Sequence, residues 1–142
     1  MTDITSANAI LMLSIATLFP TPQQLQGFST DDVYDLDAIS NVQVQMGIDG
    51  LLSGGFVWKE QPQSIVLQAN SPSNAVFDTW NSSQKASQQT YQANGILTLP
   101  SLGIKFVQTK GFLTEYKLPG GKKVLTPRRY IITWEDVSPA PA

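Results

Sequence analysis

The sequence contains no cysteine and no histidine among its 142 residues. It therefore has no disulfide framework, no Cys- or His-based zinc site, no Ser-His-Asp triad and no Cys-His dyad. Histidine is also the commonest general base of enzymes. Because only carboxylate, lysine or tyrosine chemistry remains, we expect a protein that is not an enzyme and that uses no cofactor and no metal ion.

Charged residues are also scarce, at 14% of the chain against roughly 25% in an ordinary soluble domain. Gln, Asn, Ser and Thr take their place. Removing an amide from water costs far less than removing a charge, so such a surface suits a protein whose faces are covered by neighbours. A monomer with a neutral surface is the alternative.

Long apolar runs are few as well. Ala9–Phe19 is shorter than the about 20 residues that span a bilayer, and no Lys or Arg precedes it as in a secretory signal. We interpret it as a buried strand and expect no membrane association. Phe19–Pro22 should then end regular structure, because proline cannot donate to a strand ladder.

The middle of the chain has the pattern of a β-hairpin. Asn41–Met46 alternates apolar and polar residues, as a strand with one wet face does. Gly47–Gly50 contains an Asp-Gly pair typical of a tight turn. Ser53–Gly55 should be flexible, and Ser64–Gln68 is a further strand.

One helix is predicted at about residues 71–88. Ser71 can cap its free amides, and Pro72 fits the first helical position because its missing N–H is not needed there. Further strands are expected at residues 95–99, 104–116 and 123–134. We therefore predict a mainly β fold, an antiparallel β-barrel or sandwich with one flanking α-helix, as a single domain at residues 1–137. Residues 138–142 should form a flexible C-terminal tail.

Two motifs, together with the order of the predicted elements, resemble those of the tail tube proteins of contractile-tailed phages. These are the turn at Gly47–Gly50 and the run Leu67–Asn74, which ends a strand and opens the helix. The similarity in element order covers roughly residues 40–137. Secretion-system and contractile-injection tube proteins resemble the same fold. The long acidic connection at residues 20–39 departs from the family pattern.

This resemblance implies a virion structural protein that forms hexameric rings. The rings would stack into the tail tube, the conduit through which DNA passes without specific binding. Its partners would be the sheath protein outside the tube and the baseplate and tape-measure proteins, with assembly in the host cytoplasm. A baseplate tube-initiator ring and a tail-terminator ring of the same fold remain open. A monomeric β-barrel binding module is the alternative from another class.

The resemblance places an inter-ring stacking loop within residues 47–55. Ile48, Leu51 and Leu52 look exposed there, and apolar residues at a hairpin tip are unfavourable unless something covers them. The alternative is a hairpin that folds back on its own barrel. The candidate stacking residues are Gly47, Ile48, Asp49, Gly50, Leu51 and Leu52. At the helix start, Ser71, Pro72 and Asn74 are candidate subunit contacts, the alternative being an ordinary cap.

Charge is distributed unevenly along the chain. Acids outnumber bases in residues 1–60, and bases outnumber acids in residues 105–129. A head-to-tail polymer could set the acidic face of one subunit against the basic face of the next. Our candidate charged contacts are Asp31, Asp32, Lys122, Lys123, Arg128 and Arg129. The basic run could instead bind nucleic acid, but the net charge of −2 argues against this.

Three other features have ordinary explanations. The acids of residues 31–37 could bind calcium, but they lack the EF-hand spacing, so a solvated loop is preferred. The glycine pairs at residues 54–55 and 120–121 suit turns, because no phosphate-loop motif accompanies them. Trp58, Trp80 and Trp134 could form a ligand platform, although core or interface packing is the usual role of scattered aromatics.

Overall fold

The computed structural model describes residues 9–26, 34–36, 38–100, 102–118, 120–121 and 125–141. The elements are β1 Ile10–Ile15, β2 Phe19–Gln24, β3 Tyr34–Leu36, β4 Val42–Met46, β5 Leu52–Phe56, β6 Gln61–Leu67, α1 Asn74–Ser87, β7 Ala93–Leu99, β8 Ile104–Glu115 and β9 Arg128–Pro141. The prediction of a mainly β fold with one flanking helix is confirmed.

Seven strands form one antiparallel sheet in the order β2-β1-β7-β8-β9-β6-β3, and β4 pairs only with β5 in a second sheet. Within the described ranges, the outer strands β2 and β3 do not pair with each other. The large sheet is therefore open. Of the two forms that we predicted, a sandwich fits this arrangement and a closed barrel does not.

Strand β2 corrects the prediction that regular structure ends at Phe19–Pro22. The sequence of β2 is FPTPQQ, so Pro20 and Pro22 lie inside a strand. Proline is tolerated there because β2 is an edge strand and its outer side needs no ladder donor. The prolines in edge strand β2 and the short length of edge strand β3 both disfavour unspecific pairing with a strand of another chain.

The core lies between α1 and one face of the sheet. Phe77 and Trp80 from the helix are fully buried, as is Tyr130 from β9. The rings of Phe77 and Tyr130 stack with centroids 4.1 Å apart. The sheet contributes buried aliphatic side chains, namely Leu11, Leu13, Ile15, Ile65, Leu67, Leu97 and Ile132. Trp134 is buried as well, which confirms the packing role expected of it and of Trp80.

The helix runs from Asn74 to Ser87, inside the predicted range of about residues 71–88. Its N-cap is Ser73, which has helical backbone angles and no side-chain capping bond. The hydroxyl of Ser71 accepts a hydrogen bond from the Ser73 N–H at 3.2 Å, so Ser71 stabilises the turn that precedes the helix. At the other end, Gln88 follows the helix with a left-handed φ of 55°.

Strand β8 bends at a bulge near Lys110. Lys110 has a φ of 50°, and its N–H donates to the side-chain oxygen of Asn94 at 3.2 Å. The register between β7 and β8 shifts at this point, which is the signature of a bulge.

Beyond the bend, β9 continues to Pro141 and pairs with β8, for example at Lys105 and Ala140. Residues 138–141 are therefore part of the sheet, and the predicted flexible tail is wrong for them. Ala142, the last residue of that tail, lies outside the described residues.

Candidate functional site

Strands β4 and β5 form a hairpin that extends a ribbon begun in the main sheet. At the base of the ribbon, β3 pairs antiparallel with β6, with Asp35 opposite Ser64. The pairing resumes between Val42 and Phe56 with a shift of one residue. The Val57 N–H donates to the Asn41 carbonyl at 2.7 Å and closes the base of the hairpin. The hairpin thus projects beyond the end of β6 at which Gln61 lies.

The tip of the hairpin is a short, well-bonded turn. Gly50 has a φ of 82°, a left-handed conformation that glycine adopts without steric cost. Its N–H donates to the Gly47 carbonyl at 3.0 Å. The Leu51 N–H donates to a carboxylate oxygen of Asp49 at 3.1 Å. The Asp-Gly pair therefore makes the turn that the sequence predicted, with Asp49 bonding its own backbone.

The two faces of the hairpin differ sharply in polarity. Residues directly opposite each other in antiparallel strands point to the same face, so the register assigns every side chain. One face is apolar and consists of Val42, Val44, Met46, Leu52, Gly54 and Phe56; we call it the apolar face. The other face carries Gln43, Gln45, Ser53 and Gly55. The valine methyl groups lie over Gly54, which is why that glycine belongs to a strand and not to a flexible linker.

The apolar face is uncovered. All residues of β4 and β5 are exposed, and Val44, Met46 and Phe56 are 62%, 61% and 61% exposed. At the tip, Ile48 is 111% exposed. Beside the apolar face, Trp58 packs edge-on against Phe56 with centroids 4.9 Å apart. Trp58 is thus neither core nor buried, and the hairpin does not fold back on the sheet. The role of the hairpin in the stacking of rings stays a prediction.

The predicted subunit contacts at the helix start are occupied within the chain. Asn74 is buried; its amide donates to the carbonyls of Gln68 and Ala69 at 2.9 and 3.2 Å, and its oxygen accepts from the Tyr130 hydroxyl at 2.9 Å. Ser71 is also buried and donates to the Gln26 carbonyl. Asn74 thus joins the helix start to the segment after β6 and to β9, and Ser71 joins it to the segment after β2. Pro72 alone of the predicted set is exposed.

Arg128 likewise differs from its predicted place at a subunit contact. It is 6% exposed, and its guanidinium binds the Asp78 carboxylate at 2.7 Å and the Lys117 carbonyl at 3.0 Å. Arg129 points to the opposite side of β9 and is exposed, so it stays available for the predicted contact. Asp31, Asp32, Lys122 and Lys123 lie outside the described residues.

The Arg128 cluster perturbs the neighbouring acidic groups. The hydrogen bond from Arg128 lowers the pKa of Asp78, and burial opposes this in part. Tyr116 also donates to Asp78. Burial, followed by that hydrogen bond to Asp78, raises the pKa of Tyr116. Burial likewise raises the pKa of Tyr130. These shifts arise around the ion pair of Arg128 and Asp78, which fastens the helix to the sheet.

The described part of the chain contains no candidate metal site. It contains no group of three or more acidic side chains placed to hold a metal ion. Of the acids considered for calcium, Asp31, Asp32 and Asp37 lie outside the described residues, and Asp35 lies in β3. No helix among the described residues is long and apolar enough to cross a membrane.

Comparison with known proteins identifies a family. A family model described as tail fiber protein gp32 matches residues 2–138 of the chain. No curated protein sequence matches.

Solved structures with similar folds come from contractile particles. The anti-feeding prophage tube-terminating cap has a TM-score of 0.65 at 10% identity, over 100% of this chain and 93% of that one. A chain of the anti-feeding prophage baseplate has a TM-score of 0.56 at 14% identity, over 99% and 97%. A chain of the PVC extracellular contractile injection system, from its sheath-tube complex, has a TM-score of 0.55 at 12% identity, over 93% and 88%. The tail-tube-like fold expected from the sequence is confirmed.

Proposed function

Because the chain belongs to the family described as tail fiber protein gp32, we propose that it is a non-enzymatic structural subunit of a phage tail. The subunit forms a hexameric ring, and stacked rings make the tail tube through which DNA leaves the particle. Sheath, baseplate and tape-measure proteins are its partners, and the completed protein resides in the virion after assembly in the host cytoplasm.

The uncovered apolar face of the hairpin is the observation that carries this proposal. A monomer rarely exposes so many adjacent apolar side chains, because contact with water is unfavourable and promotes association. Here they are ordered on one face of a two-stranded ribbon, with Val44 paired to Gly54 at its centre. Asp49 is the one charged residue between Val42 and Phe56. A surface with these properties is suited to burial against another protein.

The fold supports a tube and also the two related rings. The similar structures include a tube-terminating cap and a baseplate chain, and their low identity to this chain makes them evidence of fold alone. A terminator or initiator ring is therefore the second candidate. It differs from the tube subunit in one respect, since such a ring is used once per particle and does not polymerise.

Negative-stain electron microscopy of the purified chain tests the proposal. We expect tubes of stacked rings; single rings would favour a cap or initiator. Light scattering of the same sample, across a wide range of protein concentration, reports its mass. A protein that stays monomeric throughout this range would contradict the proposal and favour a binding module.

A further inference from the structure

A second uncovered apolar surface lies away from the hairpin. It is a groove of about 460 Å³ lined by Gln68, Ala69, Asn70, Leu125 and Pro127. Leu125 is 56% exposed, and none of the described residues that line the groove is charged. The connection between β8 and β9 that carries Leu125 is bonded within itself, since the Thr126 N–H donates to the Gly120 carbonyl at 3.3 Å. We call this surface the apolar groove.

The hairpin and the apolar groove lie at opposite ends of strand β6. The hairpin leads directly into Gln61, the first residue of β6, and the groove residues Gln68–Asn70 directly follow Leu67, the last residue. A strand of this length spans about 20 Å at 3.3 Å per residue. The hairpin and the apolar groove of one chain are therefore joined to opposite ends of this strand.

We propose that the hairpin tip of one copy docks in the apolar groove of the next copy along the stack. This inference rests on the proposed function and names the surface that receives the hairpin. Ile48 and Leu51 at the tip are 111% and 68% exposed and supply apolar side chains of a size that a groove can bury. The Asp49 carboxylate already accepts the Leu51 N–H, so part of its hydrogen-bonding capacity is met within the turn.

The choice of a second copy follows from the two surfaces being different and placed end to end. Two hairpins packed face to face would make a closed pair and stop growth. A hairpin seated in the groove of the next copy leaves one hairpin and one groove free, so the same contact repeats along one direction. In each interior copy, both the hairpin tip and the apolar groove are then covered.

The size of the groove implies that one such contact is weak. A stable pair of proteins buries about 800 Å² on each partner, and the five described residues that line the groove offer less. Several hairpins of one ring binding the next ring together would add their effects through a high effective concentration. We therefore expect cooperative stacking of rings and no stable dimer of isolated chains.

The absence of cysteine from the chain permits a direct test by disulfide cross-linking. Ile48→Cys protein is mixed in equal amounts with Leu125→Cys protein, or with Ala69→Cys protein as a second groove position. Leu51→Cys provides a second hairpin position. The mixtures are assembled, oxidised and separated without reductant, and the covalent heterodimer is quantified. Such a bond requires Cα atoms closer than about 7 Å, so it reports direct apposition.

Thr79→Cys, on the exposed side of α1, is the matched control for the groove partner. We expect at least about tenfold more heterodimer with a groove cysteine than with this control, because only apposed thiols meet the distance limit. Particles that form but show no excess at either groove position would overturn the docking inference and leave the proposed function standing. Failure of the unmodified chain to form any ring or tube would instead count against the proposed function.

Discussion

The guanidinium of Arg128 donates to the Asp78 carboxylate across 2.7 Å and so joins strand β9 to helix α1. Arg128 also lies 5.2 and 5.3 Å from the ring centroids of Tyr116 and Tyr130. Its own side chain is only 7% exposed, whereas that of Asp78 is 45% exposed. Asp78 is therefore the counter-ion for a positive charge that water scarcely reaches.

Removal of this counter-ion should destabilise the fold. We expect Asp78→Ala to lower the free energy of unfolding by about 2 kcal/mol, because the buried Arg128 loses its charged partner. Urea denaturation at neutral pH measures the change. Glu115→Ala removes an exposed carboxylate from β8 and should stay within about 0.5 kcal/mol of the unmodified protein. Equal effects of the two substitutions would contradict the role assigned to Asp78.

The same ion pair predicts a dependence of stability on acid pH. The pKa of Asp78 is lowered in the folded protein, chiefly by the Arg128 hydrogen bond. Its stabilising contribution is therefore present above the unfolded pKa of about 3.9 and is lost as the pH falls through the folded pKa. Urea denaturation at a series of pH values should show a smaller acid loss in Asp78→Asn than in the unmodified chain. Parallel pH profiles for the two proteins would exclude this contribution.

Gly111 on β8 allows a test of packing near the bend of the sheet. A Cβ atom added at Gly111 would clash with the indole ring of Trp134, which is fully buried. We expect Gly111→Ala to cost about 2 kcal/mol of unfolding free energy, since the core must shift to admit one methyl group. In Gly55→Ala the added methyl group meets nothing within 4 Å, so that hairpin variant should keep its stability. Thermal denaturation followed by circular dichroism compares the two.

The end of helix α1 offers a stabilising substitution. Gln88 adopts a φ of 55° directly after the helix, a position that glycine occupies at lower cost. Gln88→Gly should therefore raise the free energy of unfolding by about 1 kcal/mol. Ala86→Gly, inside the helix, should lower it by about 1 kcal/mol. The opposite signs distinguish the left-handed cap from a general effect of glycine, and denaturation of both variants checks them.

The sequence predicts those parts of the fold in which local pattern and tertiary environment agree. Phe77 and Trp80 lie on one side of the predicted helix and are its two buried apolar residues. The alternation in Asn41–Met46 predicts strand β4, and the Asp-Gly pair predicts its turn. The prediction that Pro20 and Pro22 end regular structure was wrong. A segment that contains proline can join a sheet at its edge, and no local sequence pattern shows which strand lies at the edge.

For a similar reason, the sequence predicts the turn of the candidate hairpin but not the apolar face formed by its two strands. The apolar face arises from cross-strand pairing of Leu52 and Phe56 with Met46 and Val42, and a register is a property of two segments. Arg128 and Arg129 look alike in sequence, yet strand alternation buries one and exposes the other. The side-chain amide of Gln108 donates to that of Gln63 at 2.9 Å, and both residues are fully buried. The polar character of glutamine did not predict this burial.

The apolar face itself can be tested by placing the same charge on either side of the hairpin. Val44→Glu sets a carboxylate on the apolar face, and Gln45→Glu sets one on the polar face a single residue away. Both residues are exposed in the single chain, so each variant should keep its stability within about 0.5 kcal/mol.

The two variants should differ in assembly. Burying the new carboxylate of Val44→Glu against a neighbouring copy is strongly unfavourable. We therefore expect the protein concentration needed for assembly to rise at least about tenfold, the equivalent of about 1.4 kcal/mol. Gln45→Glu should assemble at nearly the concentration of the unmodified chain. Sedimentation velocity with electron microscopy measures both, and rings or tubes from Val44→Glu at an unchanged concentration would show that neighbouring copies do not bury the apolar face.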